Sequence, residues 1–434
     1  MSKLSKRVKN KLFSIISDME KDKYQYVKNP NSDFVRTRKL SFSTIMKILI
    51  SMGGNTLHKE LYSFFEFSND TPTSSAFVQQ RSKLLPYAFE FLLHKLNKAF
   101  VPSRRFKGYR LLAVDGSDIH IPTNPADEAS YVCSNENSKG YNLLHLNVLY
   151  DLLEKRYETV NIQKCRHKSE HSALTQMIDT SDISDSVILL GDRGYEGYNC
   201  MAHAEKKGWK YLFRIKDTRG IIRAVSVPVC DEFDIDVNLL FTRRQTKETK
   251  GNPCKYRFLP SNVNFDYLPV GSKEYFPMSF RIVRVKIDYG IYETFVTNLD
   301  RDSFDIKTLK KLYRMRWGVE TSFRELKYSI GLTNFHSKKP EFILQEIFAR
   351  LIMYNISMII SVNVCVKQKT RAYAYQINFS EAIHICMTFL RCRRKNPPDV
   401  ETLIQKNILP VRPDRKDTRK ITYKSAVSFI YRVA

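Results

Sequence analysis

The sequence predicts an α/β protein, with a sheet of mixed strand direction in the middle of the chain and helices before and after it. Three observations carry this. Before about position 105, apolar residues recur every three or four places, the helical period. After it they gather in short unbroken runs, Leu111 to Val114 and Val187 to Leu190, as in strands covered on both faces. From about 305 the helical spacing returns and holds to about 390. A chain of 434 residues has room for two or three packed units at ~100–200 residues each. The breaks in pattern place them at 1–105 (helical), 106–335 (α/β, with a mostly β insertion at 219–290) and 336–434 (helical, with a basic tail).

In order, residues 40–52, 57–67 and 75–100 read as helices. Ser68, Asn69, Asp70, Thr71 and Pro72 separate the last two, and Thr73 or Ser74 is placed to cap the third helix. Gln79, Gln80, Arg81 and Lys83 are residue types that a helix presents to DNA, and equally those of a solvated face. The first apolar run ends in Asp115 and the second in Gly191 and Asp192, so both acids are expected at C-terminal strand ends. Strands over 141–150 and 157–163 and a helix over 171–179 lie between them. A helix over 198–207 and a strand over 210–215 come after Asp192. Residues 219–290 are turn-rich and basic, with Arg243, Arg244, Lys247, Lys250, Lys255 and Arg257 around Gly251, Asn252 and Pro253. They close in a hairpin, 280–287 and 291–299, turning at Asp288, Tyr289 and Gly290. A helix starts near Asp305 and runs past Lys327. The tail from 391 holds 12 Lys and Arg against 4 Asp and Glu, the pattern of a solvated or phosphate-facing segment.

Composition narrows the function. Hydrophobic residues at 43% with only 15 Gly and 16 Pro exclude a disordered or collagenous chain. Lys and Arg number 71 against 45 Asp and Glu, a net charge of +26, which points to a polyanionic partner. The eight cysteines form no C-x-x-C pair and read as reduced thiols of a cytosolic protein. The N-terminus lacks the sustained apolar stretch of a secretory signal. The longest apolar run, 351–366, is interrupted by Asn355, Ser357, Ser361 and Asn363 and falls short of the ~20 residues of a membrane span; it reads as a buried helix, and no membrane partner is expected. No glycine-rich phosphate loop occurs, so no nucleotide cofactor is expected.

The stretch from Tyr313 to Lys327 carries the chemistry. At helical spacing Tyr313, Arg316, Glu320, Arg324 and Lys327 fall in one stripe about 80° wide, a cationic face holding one carboxylate, while Leu312, Met315, Phe323 and Leu326 pack the other side. Glu320 with Asp115 and Asp192 makes three carboxylates, the hard oxygen donors that a pair of Mg²⁺ ions takes while leaving room for water and phosphate oxygens. Asp118 is a fourth acid nearby, expected to face solvent or cap a turn. Cys165, His167 and His171 look like metal ligands but lack the fourth ligand of a zinc site, with Glu170 a supporting acid there.

Tyr313, Arg316, Glu320 and Lys327 resemble, at all four positions and their spacing, the Y-R-E-K signature of bacterial transposases of the insertion sequence four family. Val114 to Ser117 and Gly191 to Tyr195 resemble the surroundings of that family's two catalytic aspartates. The interval from Asp192 to Glu320, 128 residues against 77 between the aspartates, leaves room for the β insertion these enzymes carry. The resemblance implies a ribonuclease-H-like catalytic core with Asp115, Asp192 and Glu320 as catalytic and metal-binding residues and two Mg²⁺ ions, replaceable by Mn²⁺. It implies that Tyr313, Arg316 and Lys327, joined on the cationic face by Arg324, contact phosphates. Trp317 would stack on a displaced base or serve as core. The helical ends would bind double-stranded DNA, transposon ends and target, and make homodimer contacts. The implied activity is cleavage at terminal inverted repeats and transfer of the 3′ hydroxyl ends into target DNA, in the cytoplasm at the nucleoid. A nuclease of the same fold, or a non-catalytic DNA-binding protein derived from a transposase, shares part of this pattern.

Overall fold

The computed structural model describes residues 3–133, 139–217, 220–222, 225–228, 230–366, 368, 373–394 and 396–412. The N-terminal part holds α1 (Leu4–Lys21), α2 (Phe42–Ser51), α3 (Leu57–Phe64), α4 (Ser74–Arg81) and α5 (Tyr87–Ala99). Ser41 and Thr73 cap α2 and α4 by accepting from the backbone N–H of Thr44 and Ala76. The single helix expected over 75–100 is two. Leu84 leaves helical geometry to bridge Val27, Leu85 donates to the Tyr26 carbonyl, and Pro86 opens α5 where no N–H is needed. Gln80 and Arg81 are buried rather than part of a solvated face. Arg81 is wholly buried, donating to Gln345 and the Phe342 carbonyl and pairing with Glu346 at 2.9 Å.

Next come β1 (Arg110–Ile121), β2 (Tyr131–Val132), β3 (Tyr141–Asp151), β4 (Arg156–Lys164), α6 (Glu170–Asp179), β5 (Val187–Gly191), α7 (Tyr198–Lys206) and β6 (Lys210–Ile215). After them lie β7 (Phe233–Thr242), α8 (Lys247–Gly251), β8 (Tyr256–Phe258), β9 (Tyr275–Asp288) and β10 (Ile291–Thr297). One ten-stranded sheet runs in the order β2-β3-β1-β5-β6-β10-β9-β7-β8, with β4 also on β3. β5 lies parallel to β1 and to β6, while β3 is antiparallel to β1 and β4. The stretch expected as an insertion supplies β7, β8 and β9, which continue this same sheet past β10. The unbroken apolar runs are explained by two cores. Leu111 and Ala113 of β1 face the helices at the chain's two ends, Leu112 and Val114 the core under α6 and α7, and all four are fully buried.

The chain continues through α9 (Ile306–Met315), α10 (Trp317–Arg324), α11 (Pro340–Ser361), β11 (Tyr375–Ile377), α12 (Phe379–Arg391), α13 (Val400–Lys406) and β12 (Ile408–Pro410). α11 is long and apolar enough to cross a membrane, but 94% of its apolar window is buried among the other helices. Among the described residues the eight cysteines form no disulfide. Of the basic tail, 413–434 lies outside the described residues.

Candidate active site

Asp115 sits inside β1 rather than at its end. β1 pairs with β5 only as far as Ala113↔Leu190, one residue before its apolar run stops, but its antiparallel pairing with β3 continues through Asp115↔Val148 to Ile121↔Asn142. The acid therefore stands just beyond the point where the parallel neighbour falls away, on backbone held from one side. Asp192 comes directly after β5. Its Oδ1 accepts the Gly194 backbone N–H at 2.8 Å, closing a tight turn over Arg193–Tyr195.

The third carboxylate arrives on a broken helix. Asp305 caps α9 by accepting from Thr308, α9 stops at Met315, and Arg316 forms the joint to α10, with Val319 N–H bonding the Arg316 carbonyl at 3.0 Å. The continuous helix expected from 305 past 327 is thus interrupted at Arg316, and after Arg324 it widens into a π turn over Glu325–Ser329. The joint sends the Arg316 side chain, 4% exposed, between acids. Nη2 donates to Glu320 Oε1 at 3.0 Å and Nη1 lies 3.7 Å from Asp115 Oδ2. Among the described residues, Nε and Nη1 of Arg316 have no hydrogen-bond partner. Its guanidinium lies 5.5 Å from the Tyr313 ring and 5.1 Å from the Trp317 ring.

The other expected residues differ in exposure. Tyr313 is buried, its ring 4.8 Å from Phe295, so it reaches the centre as a wall. Trp317 is 52% exposed and Arg324 exposed, and neither packs as core. Lys327 Nζ donates to Ser117 Oγ and the Asp118 carbonyl, both at 2.8 Å, tying the π turn to β1 beside Asp115.

Asp192 and Glu320 lie near enough to act on the charge of Asp115. Burial pushes the Asp115 carboxyl up to about 7; the Gly116 N–H and Arg316 pull it down, while Asp192 and Glu320 raise it. Among the described residues no three His, Cys, Asp or Glu side chains close around one point as a finished metal cage. Carboxylate oxygens are nevertheless the donors that a hard divalent cation takes. Three carboxylates share one region, and the unfavourable charge on Asp115 is what a bound cation relieves.

Sequence reasoning missed the support behind the two aspartates. Asp118 neither faces solvent nor caps a turn: Oδ1 meets His145 Nδ1 at 2.5 Å, because Asp118 and His145 are directly paired across β1 and β3. His145 is 3% exposed, and its Nε2 lies 3.2 Å from Glu170 Oε1. His145 holds the Glu170 carboxyl below the usual carboxylate range. The signal was present, since His145 interrupts the buried run Leu143, Leu144, Leu146. Cys165 donates to the Ser130 carbonyl and His171 bonds the Gly194 carbonyl.

An acidic centre where parallel strands part, walled by a buried arginine and set in a strongly cationic chain, defines an α/β protein built around polyanion chemistry. The sequence model of the transposase DDE domain matches residues 106–356, and the chain belongs to that family. Among curated proteins there is no match. A solved chain described as piggyBac transposase in a synaptic complex with hairpin DNA aligns over 94% of this chain and 84% of its own length. Identity is 11% and the TM-score 0.42, too loose a likeness to carry any residue across.

Proposed function

We propose that the chain is a DNA transposase of the insertion sequence four type, which binds the terminal inverted repeats of its element, cleaves the ends by metal-dependent hydrolysis and transfers the 3′ hydroxyl ends into target DNA. The observation that carries this is Arg316, buried between Asp115 and Glu320 with Nε and Nη1 unsatisfied. A buried guanidinium with free donors beside carboxylates suits a phosphate oxygen, which takes two parallel N–H bonds. Asp115, Asp192 and Glu320 hold two Mg²⁺, or Mn²⁺, in this reading. The bound ions supply an acidified water or hydroxyl and a stabilised leaving oxygen. Arg316 orients the scissile phosphate and offsets charge gathering on it. Tyr313 fixes the guanidinium from behind, Lys327 holds β1 against the π turn that follows α10, and Arg324 and Trp317 meet the flanking DNA from the surface. The order β4-β3-β1-β5-β6 supports a ribonuclease-H-like core within 106–335. Regions 1–105 and 336–434 bind end DNA and a second copy, at the nucleoid of the cytoplasm.

The test is cleavage of a plasmid carrying the gene with its native flanks, comparing wild type with Asp192→Asn and Glu320→Gln and mapping products to the nucleotide. Paired cuts at inverted repeats, lost in both variants and in chelator, are expected. Cuts at scattered or branched sites would identify a nuclease. Metal-independent binding without cutting would identify a repurposed DNA-binding protein.

A further inference from the structure

Behind the acidic centre, two glycines mark close approaches. A Cβ on Gly116 would stand 2.4 Å from His145 Nε2 and 3.3 Å from Glu170 Oε1. A Cβ on Gly194 would stand 3.0 Å from Asp192 Oδ1 and 3.1 Å from Glu170 Oε2. Glu170 therefore fills the space between the strand that carries Asp115 and the turn that carries Asp192. The next residue of α6 reaches the same turn: His171 Nε2 bonds the Gly194 carbonyl at 2.7 Å, while the Gly194 N–H donates to Asp192 Oδ1 at 2.8 Å. From the far side, Asp118 Oδ1 meets His145 Nδ1 at 2.5 Å and His145 Nε2 lies 3.2 Å from Glu170 Oε1.

We infer that the first turn of α6 is a clamp on the Asp192 turn, with Glu170 and His171 as positioning residues and His145 and Asp118 as their anchor to β1 and β3. Asp192 lies outside the sheet, on a turn whose own bonds are few, yet its carboxylate must hold a fixed place relative to Asp115. The clamp supplies that, because Gly194 is gripped at its carbonyl by His171 and crowded by Glu170 while its N–H aims Asp192. Loss of such a supporting contact typically costs about 10–100-fold in metal affinity or activity. The inference rests on the reading of Asp192 as catalytic, and the experiment separates the two.

Glu170→Gln keeps side-chain size and His171→Asn trims the imidazole to an amide, both at partly exposed positions, so the fold is expected to survive. Each is assayed for end-DNA cleavage kinetics and, without DNA or metal, for hydrogen exchange over residues 192–197. The expected result is kcat lower by about 10–100-fold with KM for end DNA within about twofold of wild type, and faster exchange over the turn. Wild-type kcat and exchange in both variants, with Asp192→Asn inactive, overturn the clamp alone. A fall in kcat without faster exchange also overturns it, since Glu170 or His171 would then act other than by holding the turn. Full cleavage by Asp192→Asn overturns the catalytic reading itself.

Discussion

Asp115 is ionised at a cost, and the sign of that cost is testable. Its carboxyl is raised from 3.8 to about 7, chiefly by burial. Below pH ~4 the group is neutral in both the folded and unfolded chain and costs nothing; as pH rises toward 7 the unfolded chain gains by ionising first, and above 7 the penalty is constant. Asp115→Asn removes it. In chelator, thermal unfolding is expected to show the variant more stable than wild type by roughly 1–3 kcal/mol at pH 8, with the gain shrinking toward pH 4. An equal gain at both pH values would place Asp115 in water. An inactive yet more stable variant is the signature of a group kept for chemistry rather than for folding. At this scale the sequence displayed the three acids and Arg316 through their spacing. It hid His145, because cross-strand pairing is not a local pattern, and it set Glu170 beside Cys165, His167 and His171 rather than at the acidic centre.

Elements were legible where burial is periodic and illegible where the chain changes its hydrogen bonding. The runs that became β1 and β5 needed no more than two covered faces. The break at Arg316 was invisible, because Tyr313, Arg316 and Glu320 keep much the same stripe in a continuous helix and across the joint. The split before α5 was signalled by Pro86 but overridden in reading by the apolar spacing around it. α11 shows what binds the ends of the chain: Glu346 pairs with Arg81 of α4 at 2.9 Å and with His336 Nδ1 at 3.0 Å, all three buried. Arg81 and His336 outweigh burial and hold the Glu346 carboxyl down at about 2. Its stabilising contribution is therefore present above pH ~4.5 and lost only as pH falls through about 2. Arg81→Met strands this carboxylate with fewer partners and is expected to destabilise the protein by about 3–5 kcal/mol in denaturant unfolding at neutral pH. A loss under ~1 kcal/mol would mean that water reaches Glu346.

At the scale of the whole molecule, the acidic centre and the net charge of +26 pull in opposite directions. Three carboxylates repel a phosphodiester, and Arg316, the cation set between two of them, is partly committed to Glu320. A polyanion must therefore be drawn in by charge spread over the rest of the surface, with the centre engaging only once the strand is held. The consequence is a division of labour measurable by salt. Binding that neutralises about 6–10 phosphates loses roughly 10³–10⁵ in affinity between 50 and 200 mM salt, and the slope counts the contacts. Fluorescence anisotropy with end DNA is expected to show a slope of that order. Because Glu320→Gln leaves the distributed cations in place, that variant is expected to retain the slope within about one phosphate while losing cleavage. A shallow slope in wild type would mean that the excess cations serve the fold, and a large change of slope in Glu320→Gln would mean that the centre itself, rather than the surface, captures DNA.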